Sequence, residues 1–301
     1  MLNTTFLGTN FRNPLILASG ILGINAEYFQ TLETKGVGGI TTKSFSLKER
    51  KGHKNPVMFN DDHGFLNAVG LSNGGIGEAI KLVKDAKKLN VPIIASIFAG
   101  TIEEFGEMAK QISEAKPDFI EANISCPNVK EEFGVSFSSN PESASKVTSA
   151  VKNNTNISVI IKLSPNVTDI KIIAKAVEEA GADAITAINT LAGMRINIDV
   201  KTPILSNRFG GVSGKGIFPV ALKNVYDIYE TVDIPIIGTG GITSGKDAIE
   251  MLMAGASLVG VGTGVYYRGP EIFNKIAKEM EEWMILNGYT NIKQVIGAAH
   301  K

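Results

Sequence analysis

The chain has 301 residues, 44% of them apolar, and its 30 Lys+Arg balance 30 Asp+Glu to a formal net charge of zero. That balance excludes the overall basic footprint of a nucleic-acid or anionic-membrane binder. A single cysteine, Cys126, excludes an internal disulfide and a four-cysteine iron–sulfur or zinc site, and predicts a reducing compartment.

The first segment, "MLNTTFLGTNFRNP", has no basic n-region and no long apolar h-region, so no signal peptide is expected. No apolar run reaches the ~20 residues of a membrane helix. A soluble, cytoplasmic protein is the expectation.

Short β-rich runs follow in order: "PLILAS", "GGITTK", "VPIIASI", "DFIEANIS", "SVIIKLS", "DAITAIN", "IPIIGTG" and "SLVGVGT". Amphipathic segments lie between most of them. "TIEEFGEMAKQISEA" spaces Phe105, Met108, Ala109 and Ile112 at helical intervals, and "DIKIIAKAVEEAG" does so with Ile170, Ile173, Ala174 and Val177 before stopping at Gly181. "TSGKDAIEMLMAG" opens on a capping Thr or Ser and ends at Gly255. Strands that are apolar throughout belong to a parallel sheet covered on both faces. Eight strand–crossover units predict a (β/α)8 TIM barrel. A doubly wound open sheet is the alternative that the strand count leaves open. No linker composition divides the chain, so residues 1–301 are expected to form one domain.

Two intervals are too long for plain barrel loops. They run from about Lys43 to Ile76 and from about Thr190 to Phe218. Each is expected to fold as a hairpin or flap over one mouth of the barrel, where long loops serve as lids or ligand walls.

Barrel chemistry sits at the C-terminal ends of the strands. The apolar runs end at Ser19-Gly20, at Lys43-Ser44, near Ser96, at Asn123 with Cys126 just beyond, at Lys162, and at Asn189-Thr190; the last two end in "GTGG" and "GVGTG". A buried ammonium needs a partner, and no acid adjoins Lys43 or Lys162 in the sequence. An anionic ligand would satisfy both. Glycine-rich turns before a helix start, as in "GTGGITSGKDA", suit a phosphate, and no nucleotide P-loop is present. These features fit a phosphorylated cofactor. Flavin mononucleotide (FMN) suits a strand-end lysine near the anionic end of its reduced ring. Pyridoxal phosphate on a Schiff-base lysine, or a phosphosugar, is equally compatible with residue chemistry alone.

Cys126 lies in a polar turn before Pro127, among Asn123, Ser125 and Asn128. A thiol there can act as nucleophile or base, with Lys130 favouring its thiolate. His53, His63 and His300 show no metal-ligand spacing with it.

At these residues the sequence resembles the dihydroorotate dehydrogenases over nearly its whole length. "NISCPNVK" (123–130) is the most specific match, since cysteine here is typical of class 1 and serine of class 2. "TKS" (42–44), "LNAVGLSNGG" (66–75), "IKLSPN" (161–166), "INTLAGMRI" (188–196), "GGVSG" (210–214), "IPIIGTGGI" (234–242) and "AGASLVGVGT" (254–263) add to it. The pattern looks most like class 1B. The resemblance implies oxidation of dihydroorotate to orotate, in de novo pyrimidine biosynthesis, with hydride passing to FMN. Cys126 would be the base that removes the C5 proton. Lys43, Asn67, Asn123, Asn189 and Thr190 would hold the substrate, with Ala68, Gly70 and Leu71 lining the same wall. Ser19, Lys43, Ser44, Asn123, Lys162, Ile188, Gly214, Gly240, Gly241, Gly262 and Thr263 would contact FMN, and Lys162 would stabilise the reduced flavin. The same resemblance implies a homodimer at the core of a heterotetramer, whose iron–sulfur subunit carries FAD and a [2Fe–2S] cluster and delivers electrons to NAD. This chain can supply neither that cluster nor a "GxGxxG" dinucleotide turn. The fumarate-linked class 1A is the alternative. One position departs from the pattern: Ser96 stands where class 1B usually has asparagine, and its shorter hydroxyl would reach the flavin only through water.

Overall fold

The computed structural model describes residues 1–62, 64–125 and 137–300. The eight apolar runs become β1 (Leu15–Leu17), β2 (Gly39–Thr41), β3 (Ile93–Ile97), β4 (Phe119–Asn123), β5 (Val159–Lys162), β6 (Ala184–Ala187), β7 (Ile236–Thr239) and β8 (Ala256–Val261). They pair in parallel, in chain order, and β8 returns to β1 to close the barrel. Closure removes both sheet edges and sets aside the open-sheet alternative.

The crossovers are α1 (Ala26–Thr34), α2 (Ile76–Ala86), α3 (Ile102–Ser113), α4 (Pro141–Lys152), α5 (Ile170–Glu179), α6 (Phe218–Tyr229) and α7 (Gly245–Met253); α8 (Gly264–Arg268) and α9 (Ile272–Leu286) follow β8. Their starts are chemically marked. Thr101 accepts the Glu104 N–H, and Asp169 that of Lys171. Ser244 and Asp247 cap α7 reciprocally. The glycines that stop α5 and α7 in the sequence, each in an Ala-Gly-Ala step (180–182 and 254–256), have a structural cause. Gly181 and Gly255, just past α5 and α7, take φ of +93° and +110°, where a side chain would be strained.

Strand alternation divides the interior into two layers. Ile93, Ala95 and Ile97 of β3 point outward against helix residues such as Phe105, Met108 and Ile112. Ile94 points inward to join Ile16, Phe119, Ile160, Ala184, Ile237 and Leu258. An antiparallel hairpin, Thr4–Phe6 with Thr9–Phe11, precedes β1 and presents Phe6 and Phe11 to this inner cluster. Their rings lie 5.6 and 6.2 Å from that of Phe119. Phe119 opens β4, so the aromatic plug fills the N-terminal mouth. The C-terminal mouth is left for chemistry.

The two long insertions do not form separate flaps. Met58–Asp61 and Gly64–Asn67 from the first join Leu191–Gly193 and Gly210–Ser213 from the second in one four-stranded sheet. The central seam pairs Phe65, Leu66 and Asn67 with Ser213, Val212 and Gly211. Leu66, Ala68 and Leu205, with Phe59 and Val212, form its own small core. Among the described residues no helix is long and apolar enough to cross a membrane.

Candidate active site

At the C-terminal mouth the strand ends and the insertion sheet enclose a cavity of about 840 Å³, within the range of small-molecule sites. Ser19 follows β1, and Lys43 and Ser44 follow β2. Asn123 closes β4 and Lys162 closes β5. Ile188, Asn189 and Thr190 follow β6. Gly240 and Gly241 follow β7, and Gly262 and Thr263 follow β8. Asn67, Ala68, Gly70, Leu71 and Gly214 come from the insertion sheet and its edges. All of these residues line the one cavity. Cys126 lies outside the described residues, as do His63, Pro127, Asn128 and Lys130.

The floor changes character with height. Above the aliphatic layer come Ser96, Glu121 and Thr186, all buried. Glu121 accepts the Ser96 hydroxyl at 3.0 Å and the Thr186 hydroxyl at 2.9 Å. Lys162, 6% exposed, lies opposite Asn123 on β4 and Thr186 on β6. No salt bridge satisfies its ammonium among the described residues. Lys43 is half-buried, and burial pushes its ammonium below the ordinary lysine value, with Glu78 drawing it partly back. Two under-compensated cations on one cavity form a site for negative charge.

The amides are held in place. Asn123 donates to Ser44 at 3.2 Å, and its carbonyl accepts the Ser125 hydroxyl at 2.7 Å. Asn189 donates to Ser125 at 2.7 Å and accepts the Thr190 N–H at 2.8 Å. Asn67 donates to the Gly211 carbonyl at 3.1 Å. Buried Ser125, the residue before Cys126, is thus bonded to two asparagines of the cavity wall.

The glycine-rich corner differs in one respect from the sequence expectation. The start of α7 is already occupied: Asp247 accepts the N–H groups of Thr243 and Ser244, and Glu279 accepts that of Gly245. Carboxylates stand where a phosphate would, so α7 offers no anion site. The turns Gly240-Gly241 and Gly262-Thr263 do face the cavity. A Cβ on Gly262 would meet nothing nearer than Ala18 Cβ at 3.7 Å, which leaves open space beside the backbone.

Ser96 is not on the cavity wall. It is 1% exposed, and its hydroxyl donates to Glu121 and lies 2.8 Å from that of Ser44. Asn166 lines the cavity and was not singled out from the sequence; it donates to the Thr190 carbonyl and accepts the Ala192 N–H, bracing the second insertion. Glu121 is marked in the sequence only by being a charged residue inside the strand run "DFIEANIS". Among the described residues no cluster of His, Cys, Asp or Glu could hold a metal ion.

A family model described as "Dihydroorotate dehydrogenase" matches residues 1–284. The chain belongs to the dihydroorotate dehydrogenase family. It is 46% identical over 305 residues to the Methanocaldococcus jannaschii protein named "Dihydroorotate dehydrogenase B (NAD(+)), catalytic subunit", covering 100% of this chain and 99% of that protein. Proteins of the same name from Pyrococcus abyssi and Methanosarcina mazei are 44% and 46% identical, covering 100% and 99% of this chain and 100% and 95% of their own lengths. Dihydroorotate dehydrogenases of this family are FMN-dependent oxidoreductases of pyrimidine biosynthesis. Membership sets aside the pyridoxal phosphate and phosphosugar alternatives.

Proposed function

We propose that the cavity binds FMN and dihydroorotate side by side and that the chain is a class 1B catalytic subunit. The reading rests on one observation: two lysines and three asparagines from separate strands share a cavity with a glycine-rich end. Orotate is an anionic ring edged with carbonyl and N–H groups. Ammonium and carboxamide side chains complement both features.

Gly240, Gly241, Gly262 and Thr263 would take the phosphate and ribityl chain, where backbone can approach without side-chain interference. Ser19, Ser44, Ile188 and Gly214 would border the ring. Lys162 would meet its pyrimidine end, and its buried charge would stabilise negative charge there. Lys43 would touch both ligands. Asn67, Asn123, Asn189 and Thr190 would hold the substrate against the Ala68–Leu71 wall. When bound, FMN supplies the acceptor for hydride. Cys126 would take the C5 proton as base.

In this reading residues 1–301 act as a single domain in the cytoplasm, as a homodimer within a heterotetramer. A second subunit carrying FAD and a [2Fe–2S] cluster passes electrons to NAD. The relatives' name, with its "B (NAD(+))" and "catalytic subunit", supports this over a fumarate-linked enzyme. Assay of the chain with and without an added iron–sulfur subunit tests it. NAD reduction that requires the second subunit is expected. Efficient turnover with fumarate by the chain alone would overturn the class assignment.

A further inference from the structure

Glu121 is 2% exposed and does not line the cavity, so the functional reading gives it no task. Burying a carboxylate is costly unless donors surround it. Its two oxygens accept the hydroxyls of Ser96 and Thr186. Among the described residues no side-chain hydrogen bond carries that branch beyond Thr186. Ser96 continues the other, because its oxygen lies 2.8 Å from that of Ser44.

Counting protons along the branch fixes its direction. Both Glu121 oxygens accept, and a hydroxyl has one hydrogen. Ser96 spends its hydrogen on Glu121, so Ser44 must donate to Ser96. Ser44 then has none left, so it accepts from Asn123 at 3.2 Å and from Ser19 at 3.3 Å. The Asn123 NH2 is therefore held toward Ser44, and its carbonyl toward Ser125. That carbonyl accepts both the Ser125 hydroxyl at 2.7 Å and the Ser125 N–H at 3.3 Å, which uses both lone pairs. What Asn123 still has for a ligand is one N–H. An independent anchor at the far end agrees: the Thr190 N–H fixes the Asn189 carbonyl, which turns the Asn189 NH2 toward Ser125.

We propose that Glu121 is a positioning residue that, through Ser96 and Ser44, holds the NH2 end of Asn123 while Ser125 holds its carbonyl, so that Asn123 meets a ligand as a donor only. The site thereby selects a pyrimidine with a carbonyl at that point over one with an amino group. The inference rests on the proposed binding of orotate beside Asn123. An amino group facing Asn123 would set donor against donor and leave a buried N–H unpaired, worth roughly 10- to 100-fold in affinity.

Calorimetric titration of the FMN-loaded protein with orotate, and with its 2-amino and 4-amino analogues, tests this. Ser96→Ala and Thr186→Val each take one hydroxyl from the same carboxylate, but only the first cuts the route to Asn123. The wild type should prefer orotate over both analogues. Ser96→Ala should shrink that preference at least about tenfold for one of them, and Thr186→Val should leave it within about threefold. Glu121→Gln, whose amide can donate to Ser96 and reverse the chain, should resemble Ser96→Ala and gives a second route should that variant not fold. Equal changes in Ser96→Ala and Thr186→Val, or no change in either, overturn the inference, since a merely structural carboxylate predicts that. A wild type that binds no orotate overturns the functional reading itself.

Discussion

Asn67 and Gly211 are joined twice. They face each other in register across the insertion sheet, and the Asn67 side chain donates to the Gly211 carbonyl at 3.1 Å. The first insertion is thereby fastened to the second, directly over the strand ends. Gly211 has no room for a side chain: a Cβ there would lie 2.7 Å from Thr190 Cβ and closer still to its hydroxyl. Gly211→Ala should displace Thr190 and the amide wall, weakening orotate binding at least about tenfold while destabilising the fold by only ~1–3 kcal/mol. Titration with orotate, paired with thermal unfolding, checks this.

Lys43 gives the site a pH dependence. Its ammonium is depressed below the ordinary lysine value by burial, with Glu78 opposing. Anion binding needs the proton in place. Orotate affinity should therefore fall as pH rises through the depressed folded value, before free lysine would titrate. The unfolded chain keeps that proton to higher pH, so Lys43's contribution to stability rises across the same window. Lys43→Met should lower orotate affinity about 10- to 100-fold at neutral pH and flatten the alkaline decline. An unchanged decline in that variant would assign the dependence to another group.

The occupied start of α7 predicts an acid-sensitive brace. Burial tends to raise the Glu279 carboxyl, but bonds from Arg268 and the Gly245 N–H outweigh it and hold it below the ordinary value of 4.5. A depressed carboxylate adds stability above its unfolded value and loses it as pH falls through the folded one. Glu279→Gln should therefore unfold earlier than wild type at neutral pH, with the difference closing in acid. Denaturant unfolding across that range reads it directly.

At the opposite mouth, Phe11 stacks on Phe119 with ring centroids 6.2 Å apart and is 1% exposed. Phe11→Ala should cost about 3–5 kcal/mol. The cavity lies at the other end of the strands, so the folded variant should keep its FMN and orotate affinities within about twofold. Loss of ligand binding in protein shown to be folded would contradict the separation of stabilising and chemical ends.

The barrel was legible because its strands are buried on both faces and write their position as unbroken apolar runs. The rim was legible for the same reason: Lys43, Asn123 and Lys162 are polar interruptions where those runs stop. Three features were not. The pairing of Asn67 with Gly211 joins segments far apart in the chain, through strands too short and too glycine-rich to carry a period-two signal. The plug residues Phe6 and Phe11 sit in three-residue strands whose meaning depends on the barrel they close. The helix start after "GTGG" reads as an anion site locally, yet Glu279, 34 residues beyond Gly245, fills it.

The most direct test of the account is anaerobic mixing of the FMN-loaded protein with dihydroorotate, in wild type and Cys126→Ser. The account predicts rapid bleaching of the flavin absorbance with one orotate formed per flavin, and bleaching slowed by orders of magnitude near neutral pH in the variant, because a hydroxyl is the poorer base. Flavin that stays oxidised in wild type, or bleaches equally fast in both proteins, would contradict it.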